Sequence, residues 1–280
     1  MKFILIDRLI AQRLIDSYLL EDLAWGDITT DMLVPKGTKS KGYVYAKDDG
    51  IIAGIDVFLM VFNTIDSYIE YKKYFTDGEA VKKGDLILET YGDLNSCLKA
   101  ERVALNLIQR MSGIATYVRK LSDMIKGTNA RLTDTRKTMP GLRYFDKYAV
   151  SVGGGVNHRY NLSDGILIKD NHIKAVGGIK NALTKIKGEV SHTKKVEIEV
   201  ETIHELKEAL KYGADIIMLD NMTIDMMKEA VEITNGRAIL EASGNITEKN
   251  ILDVAKTGVD IISIGAITHS VKALDISYNL

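Results

Sequence analysis

After Gly127 the chain repeats one unit: a short run rich in β-branched residues, polar residues at its end, then a stretch of helical period. Six such runs occupy residues 130–134, 165–169, 196–200, 215–220, 238–243 and 260–265. Strands spaced this widely cannot be joined by hairpins and pair in parallel through crossovers. A closed α/β barrel and an open doubly wound sheet both satisfy the repeat. No glycine-rich dinucleotide fingerprint opens a helix after the first run, so the barrel is the expectation.

The first half reads differently. Apolar residues recur at helical spacing over 9–23 until Trp25, Gly26 and Asp27 break the pattern. Stretches at 42–46, 69–71 and 84–89 read as strands separated by turns, an α+β arrangement. Residues 98–126 return to helical spacing, with Gly113 as a point of interruption in a helix that links two domains. The apolar stretch 51–62 contains Gly54 and Asp56 and falls far short of the roughly 20 residues that span a bilayer. It is expected in a core.

Composition sets outer limits. The chain has 280 residues, 46% hydrophobic and 27% charged, enough to bury one large core or two ordinary ones. Its net charge of −1 gives no general attraction to nucleic acid or to an acidic membrane, so any anion site must be a local cluster. The single cysteine, Cys97, cannot close an intramolecular disulfide and is a poor start for a thiolate metal site, which fits a reducing, cytoplasmic setting. Charge at Lys2, Asp7 and Arg8 interrupts the N-terminal apolar residues, so neither a secretory leader nor a membrane partner is expected.

In a barrel of this kind the active site lies at the carboxyl ends of the strands, and those ends are polar or charged here. They carry Asp134 with Arg136 and Lys137; Lys169, Asp170 and Asn171; Glu199 and Glu201; Asp220 and Asn221; Glu241 with Ser243 and Gly244; and Ser263 with Gly265. Glu197, Glu199 and Glu201 share one strand face, and carboxylates crowded inward demand cations or a metal. For any one of them, pairing with Lys169 or Arg136 inside the barrel is the structural alternative.

Arg136, Lys137, Arg143, His158, Arg159, Lys169 and His172 gather between residues 133 and 172. Forked guanidinium groups mixed with compact ammonium groups suit a small ligand bearing several carboxylates or phosphates. The interleaved acidic ends would repel a nucleic acid backbone. A solvated basic loop is the bland alternative. The triplet at 153–155 could cradle phosphate or simply form a turn. Near the end, Ser243, Gly244 and Asn245, then Ser263, Ile264, Gly265 and Ala266, follow the last two runs, where glycine lets backbone N–H groups approach an anion.

The segment 133–143, Thr-Asp-Thr-Arg-Lys-Thr-Met-Pro-Gly-Leu-Arg, resembles the arginine–lysine signature of the decarboxylating quinolinate phosphoribosyltransferases. Segments 147–150, 153–159, 167–172, 218–222, 241–244 and 265–270 follow in that family's order, and 21–30 and 101–106 carry the resemblance through the first half. The resemblance implies a four-stranded α/β sandwich domain over 1–112 and an incomplete α/β barrel of about six or seven strands over 113–267, with 268–280 returning to the first domain. It implies transfer of phosphoribosyl from phosphoribosyl pyrophosphate to quinolinate with loss of CO2, a step of NAD biosynthesis, in a homodimer or higher homo-oligomer.

By the same resemblance, Arg136, Lys137, His158, Arg159 and Lys169 hold quinolinate, and Arg102 arrives from a neighbouring subunit. Glu199 and Asp220 face the ribose and its Mg2+, which binds mainly through substrate and water. Ser243, Gly244, Asn245, Ser263, Ile264, Gly265 and Ala266 take the 5′-phosphate. Lys137, Lys169, Glu199 and Asp220 are the catalytic candidates, with Lys137, Lys169 and His158 left open as proton donors for decarboxylation. Met139 and the pair Tyr160–Asn161 depart from the family pattern, and Asn161 is expected to keep a left-handed turn. The alternatives are a molybdenum-transport-associated sibling enzyme, an aldolase-type barrel using Lys169 as a Schiff-base nucleophile, and a non-catalytic nucleotide sensor.

Overall fold

The computed structural model describes residues 6–280, so residues 1–5, where the leader argument begins, lie outside the described residues. The strands are β1 (Lys39–Ala46), β2 (Gly50–Ile51), β3 (Glu70–Lys73), β4 (Ala80–Val81), β5 (Leu86–Asp93), β6 (Arg131–Thr133), β7 (Ile166–Ile168), β8 (Val196–Val200), β9 (Ile216–Asp220), β10 (Ile239–Ser243), β11 (Ile261–Ser263) and β12 (Ile276–Asn279). The chain divides into a first unit of Met1–Arg119, Thr138–Gly154 and Ile267–Leu280, and a second of Lys120–Lys137 and Gly155–Ala266. Among the described residues no helix is long and apolar enough to cross a membrane.

The first unit is built on a four-stranded antiparallel sheet in the order β12-β1-β5-β3. Its core helix, Ile55–Ile65, is the apolar stretch singled out above, and Ile55, Val57, Phe58, Leu59, Val61 and Phe62 are all buried. Phe58 and Phe62 stack with centroids 4.8 Å apart, and Phe62 meets Tyr278 of β12 edge-on at 5.5 Å. Gly42 of β1 leaves room for that tyrosine, because a Cβ there would sit 2.0 Å from its hydroxyl.

The helix Leu94–Met124 runs unbroken through Gly113. That glycine is a packing residue: a Cβ would lie 2.2 Å from the carbonyl oxygen of Lys272, so its absence lets the C-terminal segment lie on the helix backbone. Hydrogen bonds from Leu274 N to Gln109 O (3.0 Å) and from Gln109 Nε2 to Ile276 O (2.7 Å) hold the segment there.

The second unit holds six parallel strands in the order β6-β11-β10-β9-β8-β7. The sequence-adjacent pair β6 and β7 forms the two edges, so the barrel is incomplete at that point. A single bridge, Thr133 to Val156, and the hydrogen bond from Val156 N to Leu132 O (2.8 Å) line the β6 edge. Outward-facing Ile217, Leu219 and Ile262 are fully buried, each contributing roughly 1.5–3 kcal/mol. Crossover helices start at polar caps: Thr202 and Glu205 form a reciprocal capping box, and Thr223 Oγ1 accepts from Met226 N. Such caps put each helix start directly after a strand end and keep the strand ends in loops of a few residues.

Candidate active site

Strand alternation decides what faces the barrel interior. The ladder sets Glu197 level with Ile216, Glu199 with Met218, Glu241 with Met218 and Ile261, and Ser243 with Asp220. These side chains therefore point to one side.

At the carboxyl ends, Lys169 Nζ donates to Glu199 Oε2 at 2.8 Å, with Glu199 only 12% exposed. His172 Nδ1 accepts from the backbone N–H of Lys169 (2.9 Å), so this histidine braces the turn that presents the lysine. Burial pushes the Asp220 carboxyl above its usual range, and the Glu199 charge pushes it further; Asn221, Lys169 and Lys137 pull it back. Lys137, Lys169, Glu199 and Asp220 thus occupy one electrostatic neighbourhood.

Asn221 Nδ2 donates to Asp220 Oδ2 (2.8 Å), while its Oδ1 accepts from Asn245 Nδ2 (2.9 Å). Both asparagines have positive φ. Gly244 lies between them at φ +90°, and a Cβ there would meet Asn221 Oδ1 at 2.2 Å, so glycine is required for this close approach. The turn through Ser243, Gly244 and Asn245 is therefore locked onto the end of β9. In the neighbouring loop, the N–H of Ile264 donates to Thr133 O at 3.1 Å and the buried Ser263 Oγ donates to Ala242 O at 3.4 Å.

Burial depresses the Arg159 guanidinium, and the like charge of Arg136 adds to the effect. Two guanidinium groups held this close favour an anion between them. Arg159 is anchored by its Nη1 donating to Gly165 O (3.0 Å).

Beneath the rim lies a trio that the sequence did not single out as a site. His158 Nε2 is 3.1 Å from Glu197 Oε2 and 3.7 Å from Glu241 Oε1, and both carboxylates are nearly fully buried. His158 Nδ1 accepts the backbone N–H of Arg159 (2.8 Å), so the ring proton resides on Nε2 and faces Glu197. Burial and then the Glu197 charge push the Glu241 carboxyl up to about 7. The signal for Glu241 was its inward place two residues before Ser243, the same alternation that flagged Glu197.

The glycine triplet is structural: Gly153 is buried in the helix Arg143–Gly153, where a Cβ would meet Ala115 O at 2.7 Å, and Gly154 caps it at φ +103°. Asn161 does not have the expected positive φ; its side-chain oxygen instead accepts from Ser163 N (3.0 Å) and closes the turn without a left-handed residue. Arg102 is exposed on the helix Leu94–Met124 in the first unit, and Met139 is half-exposed in that same unit.

Residues 27–112 match the N-terminal domain of quinolinate phosphoribosyl transferase, and residues 114–279 match its C-terminal domain. The chain belongs to the quinolinate phosphoribosyltransferase family. It is 45% identical over 279 residues to a probable nicotinate-nucleotide pyrophosphorylase (carboxylating) of Methanocaldococcus jannaschii, covering 96% of this chain and 97% of that one. A Bacillus subtilis protein of the same description is 42% identical over 270 residues, with 96% and 93% covered. The solved nicotinate-nucleotide pyrophosphorylase of Francisella tularensis superposes with a TM-score of 0.93 at 42% identity, covering 98% and 97%. The six barrel strands lie within the stretch that matches the C-terminal domain, and the four-stranded sheet draws β1, β3 and β5 from the N-terminal match and β12 from the C-terminal one.

Proposed function

We propose that the chain transfers phosphoribosyl from phosphoribosyl pyrophosphate to quinolinate with decarboxylation, yielding nicotinate mononucleotide, pyrophosphate and CO2 for de novo NAD biosynthesis. The observation that carries this reading is the meeting of cations with a carboxylate pair at the strand ends: Lys137 and Lys169 beside Glu199 and Asp220, with Arg136 and Arg159 close together in the same unit. The guanidinium and ammonium groups suit the two carboxylates of quinolinate. The pyridine nitrogen displaces pyrophosphate from the ribose C1, and positive charge builds on the sugar as that bond breaks. Glu199 and Asp220 stabilise this charge.

The carboxylate next to the ring nitrogen then leaves as CO2, its bonding electrons remain on the ring carbon beside the cationic nitrogen, and a proton replaces it. Lys137 or Lys169 is the donor we favour, because the Nε2 proton of His158 faces Glu197. Glu199 and Asp220 also fit Mg2+: both are oxygen donors, and a dication would offset the burial and the Glu199 charge that together raise Asp220. When bound, the ion would neutralise the pyrophosphate leaving group.

A homodimer is part of the proposal. Leu9, Leu20, Trp25, Ile28, Met32 and Leu33 are exposed, Trp25 at 96%, a concentration of apolar surface suited to a second copy of the chain. The helix Ile28–Leu33 is tied to the Arg102-bearing helix by Lys99 Nζ donating to Asp31 Oδ1 at 2.6 Å, which supports delivery of Arg102 to a partner's site. Arg102→Ala should then raise the quinolinate KM and leave the monomer fold intact; unchanged kinetics would reject the intersubunit role. The buried lone Cys97 supports the cytoplasmic setting.

The Schiff-base reading is weakened by the ion pair of Lys169, since such a lysine needs a desolvated, uncharged amine. The test combines purified protein with quinolinate, phosphoribosyl pyrophosphate and Mg2+, follows nicotinate mononucleotide and CO2, and runs nicotinate as the control. Product from quinolinate alone supports the proposal. No product from either acid, with phosphoribosyl pyrophosphate still bound, would move the reading to the sibling enzyme or the sensor.

A further inference from the structure

Asn221 joins two parts of the strand-end site through a single side chain. It follows Asp220, the last residue of β9, and the ladder sets Asp220 level with Ser243, where the turn assigned to the 5′-phosphate begins. Its amide is engaged at both ends: Nδ2 donates to Asp220 Oδ2 at 2.8 Å, and Oδ1 accepts from Asn245 Nδ2 at 2.9 Å. Its backbone N–H donates to Ser243 O at 2.9 Å. An ionised carboxylate only accepts, so the atom facing Asp220 must be a donor, and the atom facing the Asn245 amide nitrogen must be an acceptor. Asparagine is the residue of this size that offers both.

The backbone bends to reach this arrangement. Asn221 at φ +54° and Asn245 at φ +52° lie in the left-handed region, which asparagine enters more readily than most residues that carry a Cβ. From the far side Asn250 Nδ2 donates to Asn245 O (3.1 Å), while Asn250 Oδ1 accepts from Thr247 N (2.7 Å). A run of amides therefore extends from Asp220 through Asn221 and Asn245 to Asn250. Asn221 and Asn245 are exposed, so water competes for their hydrogen bonds and the fold gains little from them. The arrangement is explained by what it holds at either end.

We propose that Asn221 is a positioning residue for phosphoribosyl transfer, fixing the span between the turn that takes the 5′-phosphate and the carboxylate that faces the ribose. The inference rests on the activity proposed above. The 5′-phosphate and C1 are the two ends of one sugar, so anchoring the phosphate places C1 only if the turn and Asp220 keep a constant separation. Asn221 holds both without touching the reacting atoms. Misplacing a reacting group by about 1 Å costs about 10^2-fold in rate, so the effect falls on kcat more than on substrate affinity.

Two variants of the whole protein test this, by steady-state kinetics with quinolinate, calorimetric titration with phosphoribosyl pyrophosphate, and thermal melts. Asn221→Gly keeps the positive φ and removes the side chain. Asn221→Asp keeps the shape and the acceptor for Asn245 but turns a carboxylate oxygen toward Asp220. Both should lower kcat by about 10–10^2-fold, while Asn221→Gly holds its Tm and binds phosphoribosyl pyrophosphate within about threefold of the unaltered protein. Unchanged kcat in Asn221→Gly would overturn the inference. So would full kcat in Asn221→Asp, which would reduce Asn221 to a brace for the turn, or a loss of affinity in Asn221→Gly as large as its loss of kcat. An unaltered protein that makes no nicotinate mononucleotide would reject the proposed activity and this inference with it; an active one with any of these outcomes rejects the inference alone.

Discussion

Glu199 and Glu197 stand two residues apart on one face of β8, yet they live under different electrostatic rules. Glu199 lies at the strand end and is answered by the ammonium of Lys169 at 2.8 Å. Glu197 lies one step deeper and shares His158 with Glu241, at 3.1 and 3.7 Å. Burial, and then the Glu197 charge, push the Glu241 carboxyl up to about 7, with His158 pulling the other way. The outer pair can exchange its internal partner for a substrate.

The largest effect should come from neutralising the outer member. Glu199→Gln is expected to lower kcat by about 10^2–10^3, the usual result of removing one well-placed electrostatic stabiliser, with little change in Tm. Loss of Tm without loss of kcat would reverse the contrast between the two ends. A buried carboxylate with a full cation supplies the control from the first unit. Asp146 is fully buried and gripped bidentately by Arg110, at 2.7 and 2.9 Å. Arg110→Ala strands that charge and should destabilise the fold by about 3–5 kcal/mol in denaturant titration. A cost near zero would mean that Asp146 can shed its charge as Glu241 does.

The third effect is a pH dependence. The ordinary value for the Glu241 carboxyl is 4.5, which applies to the unfolded chain, and folding pushes it up to about 7. Between those values the folded chain binds more protons than the unfolded one, so stability is full below the lower value and falls as pH rises through the upper. Glu241→Gln keeps an N–H donor facing Glu197 and cannot ionise. Thermal melts should show the unaltered protein losing on the order of a few kcal/mol between pH 5 and pH 8 from this group, and the variant losing less. Equal losses in both would remove Glu241 from the account.

Much of this contrast was already visible in residue order. Strand β8 coincides with the run 196–200, and the other five barrel strands fall inside the predicted runs, because β-branched density and polar run ends are local signals. What pairs with what was not local. Glu241 and Glu197 stand two strands apart and meet at His158, and Gly113 is required by a backbone that arrives about 160 positions later in the chain. The glycine triplet offered either a phosphate cradle or a helix end, and only the packing of Gly153 on Ala115 and Val118 decides between them. Thr138–Gly154 packs with the first unit although β6 and β7 on either side of it belong to the second, a consequence of long-range contacts such as Arg110 with Asp146.

The smallest effect tests whether charge pairing as such explains the outer site. Lys174 and Asp170 form an exposed pair at 3.0 Å on the helix that follows β7, one residue beyond Lys169. Like Lys169 with Glu199, it is an ammonium–carboxylate contact of ordinary length. It differs in standing in water, where solvent screens the attraction and side-chain entropy offsets what remains. Lys174→Ala should therefore leave Tm unchanged within error and leave kcat for quinolinate intact. If instead Lys174→Ala lowered kcat as Glu199→Gln does, the distinguishing property of the strand end would be its net charge, and the burial of Glu199 against Lys169 would not matter.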